Sequence, residues 1–546
     1  MNKIEKKLQN VIYEGLKTLG LEIKLLEIKL DIPKDAKHGD YASNICLRLA
    51  KVAKKAPIAL ANELLEIVSQ DPIIKKVEIA GPGFLNFFIK DEQLANVIND
   101  ILEQNVTFGH NNSGQNKKIL LEYISANPTG ILHLGHARGA AWGDSLARIL
   151  KACGYDVLRE YYVNDAGVQI KNLVNSLKAR IYELANLEFQ LPEDGYHGED
   201  VKVIASQIYQ KHGNSLFELE SDALNQLLET EGVQLELERI KQDLAYFNIT
   251  MDSWISEKWL VASDRIEKVL SHLRKQDLLY EQDNALWFKS SLFGDDKDRV
   301  LIKNDGNYTY LLPDITNHLY KIERGYSYLL DLWGADHHGY IPRMKASLAA
   351  MGYPDCLDVD IIQMVRLIED GKEVKMSKRS GNAITIRELI DDIGLDATRY
   401  FFVQRALDTH FDFDISLAKS QSADNPVYYA QYAHARICSI LEKNKNNLSP
   451  LPEYNLLVSQ YEKDLLKWLA NLENVLIEIA SSRNVSRMCQ YIQTLATLFH
   501  TFYAHCKVVD SDNIALSQQR LLLCMATKQV LKNSLDYIGI NALERM

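Results

Sequence analysis

The sequence predicts an α/β protein whose central domain is built on a parallel β-sheet, with a smaller α+β domain before it and an all-α helical bundle after it. Three stretches predict this. Residues 118–157 read as strand, loop, helix and strand. A mostly apolar run over 119–124 ends in the turn residues Ser125, Asn127, Pro128 and Gly130, after which Ala137, Ala140, Ala141, Leu146, Ile149 and Leu150 recur at helical spacing. Gly154 stands where a helix stop is expected and DVLREYYV over 156–163 reads as the next strand, so the segment is a βαβ unit. The second half of the sheet is expected from VLIKNDGNYTYLL (300–312) and YSYLLDLW (326–333). Apolar-periodic segments over 464–480, 487–507 and 518–538 predict the bundle.

Before the sheet, residues 2–20, 42–53 and 57–69 read as amphipathic helices, and 77–89 as strand, turn and strand around Gly81-Pro82-Gly83. Basic residues gather here: Lys34, Lys37, Arg48, Lys51, Lys54 and Lys55. On pattern alone such a run is usually a solvated helix face. Residues 111–117 are polar and read as a linker, and 205–261 as charged helix.

A chain of 546 residues is expected to hold three domains, and 47% apolar with 25% charged residues is an ordinary soluble composition. The net charge of −11 argues against indiscriminate nucleic-acid binding but permits a local basic face. Seven scattered cysteines, none in C-x-x-C, indicate neither a disulfide framework nor a zinc ribbon. With no signal peptide and no apolar run long enough to cross a bilayer, a cytoplasmic protein without membrane association is expected.

The turn after the first sheet strand carries His133-Leu134-Gly135-His136, not a G-x-G-x-x-G or G-x-x-x-x-G-K fingerprint. Two imidazoles three residues apart at a helix start point the same way. Together with the free amides and positive end of the helix they make a donor cluster suited to phosphate, and Gly135 lets the backbone approach something flat. By spacing alone, a surface turn or half a metal site fits as well. Far downstream, VKMSKRSGN (374–382) places Lys375 and Lys378 around Met376 and Ser377, a pair able to close over a triphosphate from a loop.

The two stretches together resemble the H-I-G-H and K-M-S-K-S signatures of class I aminoacyl-tRNA synthetases. The resemblance narrows to arginyl-tRNA synthetases through EYISANPTG (122–130), YTYLLPD (308–314), and GDYASNICLRLAKVAKKAP from Gly39 with AGPGFLNF from Ala80. YVNDAGVQIKNLVNSLKARIYE from Tyr162 and Gly195–Asp200 add to it. Leu134 replaces the usual isoleucine, and Arg379 stands where other class I enzymes often carry serine.

The likeness implies a class I Rossmann-like catalytic domain over 116–395 with an insertion at about 170–295, an N-terminal tRNA-contacting domain over 1–115, and a helical anticodon-binding domain over 396–546. The implied activity is ATP-dependent ligation of L-arginine to tRNA(Arg) through arginyl-adenylate. Expected partners are ATP with substrate-bound Mg²⁺, arginine and tRNA(Arg). A monomer without structural zinc is expected.

Expected catalytic residues are His133, His136, Lys375 and Lys378. Gly135, Gly334, Asp336, His337, Met376 and Ser377 are expected to hold ATP, glycine admitting the ribose and the carboxylate accepting from its hydroxyls. With His338 beside them, Asp336 and His337 are also a weak zinc candidate. Glu122, Ser125, Asn127, Tyr310 and Asp314 match positions that hold arginine. Glu122 sits inside an apolar strand, where it either pairs with a neighbour such as Arg138 or awaits a guanidinium. Lys51, Lys54 and Lys55, with Tyr428, Tyr432 and Arg436 in NPVYYAQYAHAR, are expected to meet tRNA, although any single tyrosine there also suits a bundle core.

Rival readings are a cysteinyl-tRNA synthetase, which the scattered cysteines oppose, and a small-molecule adenylyltransferase, which needs neither flanking domain. A third is a tRNA-binding regulatory protein that keeps the fold without the chemistry.

Overall fold

The computed structural model describes residues 3–31, 33, 35–374, 384–444 and 448–546. Its N-terminal part packs helices Lys3–Thr18, Ile45–Ala53 and Pro57–Val68 on an antiparallel sheet of β1 (Tyr41–Ser43), β3 (Phe84–Ile89) and β2 (Ile74–Ala80), in that order. Leu8, Ile12, Leu16, Leu60, Leu64, Leu85 and Phe87 form a core of their own there.

The central sheet is five-stranded and wholly parallel. Its order is β11 (Leu357–Ile362), β10 (Tyr328–Gly334), β4 (Lys118–Glu122), β5 (Asp156–Val163), β6 (Ser253–Ser256). From β4 the chain winds outward to β5 and β6, and from β10 it winds the opposite way to β11. The strand order therefore reverses between β4 and β10, and a crevice opens beyond their carboxyl ends, where ligands settle in such sheets. Register places Glu122 and Asp331 opposite each other at this point.

Two sequence expectations change here. Residues 300–312 do not enter the parallel sheet. β9 (Arg299–Ile302) instead closes a separate antiparallel sheet with β7 (Leu279–Gln282) and β8 (Ala285–Phe288), and a helix starts at Leu311. The edge strand β6 lies inside a stretch that reads as helix, and it is too short to show a period of its own. Helices Val168–Leu184, Glu199–His212 and Ser221–Tyr246 stand between β5 and β6 with a small core of their own. A third small sheet joins β12 (Val365–Glu369) to β13 (Lys372–Val374) and β14 (Phe411–Asp414).

Helix Leu134–Ala152 sits between the parallel sheet and the C-terminal helices, so 15 of its 19 residues are buried. Gly143 is required for that approach: a Cβ there would stand 2.5 Å from the Tyr123 ring. Arg399 ties the layers together. Wholly buried, it donates to Asp144 at 2.7 Å on this helix, to Phe247 O at 2.9 Å and to Ile538 O at 2.8 Å, so one guanidinium joins three separate parts of the chain. The C-terminal bundle is built mainly from Pro426–Lys443, Gln460–Ala470, Leu472–Ser482, Ser486–His505 and Ile514–Tyr537.

Candidate active site

The histidine turn begins helix Leu134–Ala152, with His133 as its N-cap in extended conformation. His133 Nδ1 accepts from Gly135 N at 3.1 Å, and His136 Nδ1 accepts from His133 N at 3.3 Å. The ring centroids are 4.0 Å apart. Each Nδ1 is thus a lone-pair acceptor for a backbone amide, which leaves the proton of the neutral ring on Nε2 as a donor. Burial lowers the pKa of both rings. It takes His136 to about 3, with His133 as a second cause. The turn therefore offers neutral N–H donors at the positive end of a helix, an arrangement for binding an anion.

This turn is stitched to the segment that follows the lysine motif. Leu134 N donates to Ile384 O at 3.2 Å, Ile386 N donates to Leu132 O at 3.0 Å, and His133 bridges Thr385. Thr385 in turn caps helix Ile386–Ile393 in a capping box with Glu388. On the other side, Val374 pairs with Leu367 of β12. Lys375, Met376, Ser377 and Lys378 themselves lie outside the described residues.

Beyond the carboxyl ends of β4 and β10 lies an open cleft of about 920 Å³. It brings together nine of the residues expected from the sequence: Glu122, Ser125, Asn127, His136, Tyr310, Asp314, Gly334, Asp336 and His337. The His133 ring lies beside that of His136 at a tilt of 35°, and Gly135 is exposed in the same turn. Tyr310 is 77% exposed and forms an open wall. Asp336 and His337 are also largely exposed, in the turn Ala335–Tyr340.

Glu122 does not pair with Arg138. That arginine turns away and donates to the carbonyls of Gln363, Thr409 and Ala406. The partner of Glu122 is Lys321, at 2.6 Å and fully buried, while Ser125 Oγ donates to its other oxygen at 2.9 Å. Ser125 Oγ also accepts from Tyr162 N at 3.1 Å. Ile124 and Ser125 hold φ of +77° and +39°, a backbone that non-glycine residues rarely adopt and that the surrounding contacts must impose. Asn127 Oδ1 accepts from Asn164 at 2.8 Å.

Sequence reasoning missed several lining residues. Glu257, in the first turn of helix Glu257–Ala262, shares a hydrogen bond with Tyr162. Burial raises its pKa, and nearby Asp165 and Asp314 add to the rise. Among the described residues no basic group pairs with it. Asp331 went unnoticed inside the apolar run of β10, and His318 and Lys321 because no helix is expected where Leu311–Glu323 forms one. Asp314, His318 and Lys321 fall at i, i+4 and i+7 of helix Leu311–Glu323, a spacing that would have shown them on one face.

The residues expected to meet tRNA lie in two places. Lys51, Lys54 and Lys55 are exposed at the end of helix Ile45–Ala53 and just after it, Lys55 pairing with Glu63. Tyr428 and Tyr432 stack on helix Pro426–Lys443 with centroids 6.2 Å apart, and Arg436 lies over the rings of Tyr432 and Tyr503. A cleft of about 770 Å³ opens beside them, lined by Tyr432, Arg436, Lys443, Tyr503, Lys507 and Arg545. Such a basic and aromatic surface suits unpaired bases.

Three family models match the chain: arginyl tRNA synthetase N terminal domain over residues 2–89, tRNA synthetases class I (R), catalytic domain over 97–408, and DALR anticodon binding domain over 430–546. The chain is 47% identical to the arginine–tRNA ligase of Anoxybacillus flavithermus over 557 residues, covering 100% of both chains. It is 47% identical to that of Listeria welshimeri over 547 residues, 99% of this chain and 98% of its relative. The fold is similar to the solved arginyl-tRNA synthetase of Thermus thermophilus, with a TM-score of 0.77 at 22% identity over 100% of both chains.

Proposed function

The chain belongs to the arginyl-tRNA synthetase family, and from that membership we propose how its residues divide the reaction it performs, the ATP-dependent ligation of L-arginine to tRNA(Arg). Arginine's carboxylate attacks the α-phosphate of ATP. The bond to the bridging oxygen breaks, pyrophosphate leaves and arginyl-adenylate remains. The 2′-hydroxyl of the tRNA's terminal adenosine then takes the arginyl group, and AMP leaves. Neither step needs an adduct on the enzyme, so catalysis is positioning and charge stabilisation.

His133 and His136 donate from Nε2 to phosphate oxygens, a role that the capped, neutral rings support. Lys375 and Lys378 take the charge that develops on pyrophosphate. Ile384, anchored on the histidine turn, is six residues after Lys378, a contour of about 20 Å at full extension. Gly135, Gly334, Asp336, His337, Met376 and Ser377 hold the nucleotide. Mg²⁺ belongs to the ATP, where it neutralises phosphate charge.

Arginine carries two cations, and the cleft has two acidic points. The Asp314–Glu257 side suits the guanidinium, because Glu257 is a half-buried carboxylate without a basic partner among the described residues and a planar fork can serve both acids. Glu122 suits the α-ammonium. It stands at the end of the strand that leads into the histidine turn, on the side where arginine's carboxylate must reach the phosphate. Ser125 braces Glu122, Asn127 lines the floor, and Tyr310 covers the side chain.

tRNA is read by Tyr428, Tyr432 and Arg436 and contacted by Lys51, Lys54 and Lys55. The division at 1–115, 116–395 and 396–546 follows these roles. The protein works as a monomer in the cytoplasm. Among the described residues no helix is long and apolar enough to cross a membrane, and all seven cysteines are unpaired.

The observation that carries this assignment is that the neutral donor His136 and Glu257, a carboxylate with no basic partner among the described residues, line one cleft. ATP–pyrophosphate exchange screened across the amino acids, with tRNA present, tests it. Arginine alone should support exchange. If tRNA binds but no amino acid supports exchange, the protein is a tRNA-binding regulator.

A further inference from the structure

Five ionisable side chains run in a line beneath the cleft. Lys321 Nζ lies 2.6 Å from Glu122 Oε2 and 3.2 Å from Asp331 Oδ1. The other oxygen of Asp331 is 2.9 Å from His318 Nε2. His318 Nδ1 is 2.8 Å from the Asp314 carbonyl and 3.2 Å from Asp314 Oδ1. Both ring nitrogens of His318 thus face oxygen acceptors, and only an imidazolium donates to both. Lys321, Asp331 and His318 are buried to within 2%. Glu122 and Asp314 at the ends line the cleft, and Asp331 between them lines it from a position where its side chain is only 1% exposed.

The geometry explains why a line is needed. Glu122 and Asp331 are register partners on adjacent strands, so two carboxylates meet at close range, and like charges so placed repel. One residue of each neighbouring turn of helix Leu311–Glu323 supplies a cation, Lys321 between the two acids and His318 beyond them. Three acids thus alternate with two cations along the line, with Glu122 and Asp314 at its ends. Burial and Lys321 lower the pKa of His318, yet Asp331 and Asp314 raise it to about 10, while Lys321 and His318 hold Asp331 at about 2 against its burial; burial, with Asp331, raises the pKa of Glu122 against the pull of Lys321 and His318. Other titratable groups facing the line are Glu160 and Tyr162 on β5, Cys356 before β11, Glu257, and Tyr340 after β10.

We propose that Lys321, Asp331 and His318 are positioning residues for arginine. Lys321 and His318 favour the ionised form of Glu122, and the line as a whole holds Glu122 and Asp314 in place, so that the cleft fits a ligand with two cations. This rests on the assignment of Glu122 and Asp314 to arginine made above.

The test is pyrophosphate exchange by the full-length protein with tRNA, comparing Glu122→Gln, Asp331→Asn, Lys321→Met and Lys321→Arg. Asp331→Asn and Lys321→Met should each raise the KM for arginine about ten-fold or more with the KM for ATP within about two-fold. In Lys321→Met, Glu122 and Asp331 must share a proton. The arginine KM should then fall as pH rises between about 6.5 and 8.5, a dependence that Lys321→Arg should lack. A purely structural role would lower kcat or thermal stability and leave the arginine KM and its pH profile unchanged, which would overturn the proposal. Should Asp331→Asn not fold, the Lys321 pair decides alone: Lys321→Arg keeps the buried cation, and in Lys321→Met a proton shared by Glu122 and Asp331 takes its place. If Glu122→Gln leaves the arginine KM unchanged, the arginine assignment itself fails. If only Glu122→Gln raises it, that assignment stands and the positioning role falls.

Discussion

His133 and Thr385 face each other across an antiparallel bridge, flanked by hydrogen bonds from Leu134 N to Ile384 O at 3.2 Å and from Ile386 N to Leu132 O at 3.0 Å. The histidine turn and the segment that ends the lysine motif are therefore one backbone unit, although the parallel sheet is completed between them in sequence. Thr385→Ala removes the cap of helix Ile386–Ile393 and should cost about 1 kcal/mol of stability in denaturant unfolding. In exchange assays kcat should fall while the arginine KM stays, because the disturbed anchor belongs to the phosphate side.

The neutral state of His136 gives a pH signature. Its folded pKa is depressed to about 3 by burial and by His133, whereas the unfolded ring takes a proton near 6.5. Below 6.5 the unfolded chain binds a proton that the folded chain refuses, so stability is full above that pH and is lost progressively toward 3. Between pH 7 and 5 the loss from this one ring should be up to about 2 kcal/mol. Urea unfolding at the two pH values should show a smaller difference in His136→Asn than in the wild type. An equal difference would mean that the ring is charged or exposed in the folded protein.

Arg436 lies over the rings of Tyr432 and Tyr503 beside the basic cleft of the bundle. Arg436→Ala should raise the KM for tRNA in aminoacylation by roughly ten-fold or more, as expected when a stacking surface worth about 1–3 kcal/mol per base is lost. The KM values for arginine and ATP should not move, since the residue is outside the cleft beyond β4 and β10.

Much of this arrangement is legible in the sequence. The strands β4, β5 and β10 are apolar runs bounded by turn residues, and the histidine turn sits where the period changes from strand to helix. Residues 300–312 misled because Val300, Tyr308 and Tyr310 suggest a strand that runs on past Leu311, although from there Leu311, Ile315, Leu319 and Ile322 recur at helical spacing, as do Asp314, His318 and Lys321. That hid the partner of Glu122. Arg138 is near in sequence, but burial sends it to three carbonyls, and the cation that meets Glu122 comes from far along the chain. Glu257 is an isolated carboxylate in a charged stretch, and only the fold places it against Tyr162.

One cleft with an acidic end for the amino acid and a histidine end for the phosphates is tested most directly by steady-state exchange kinetics of two single variants, Glu257→Gln and His136→Asn. Glu257→Gln should raise the arginine KM by about ten-fold or more with the ATP KM nearly unchanged. His136→Asn should lower kcat by about a hundred-fold or more with the arginine KM nearly unchanged. If both variants shift the two KM values together and by similar factors, the cleft is not divided in this way.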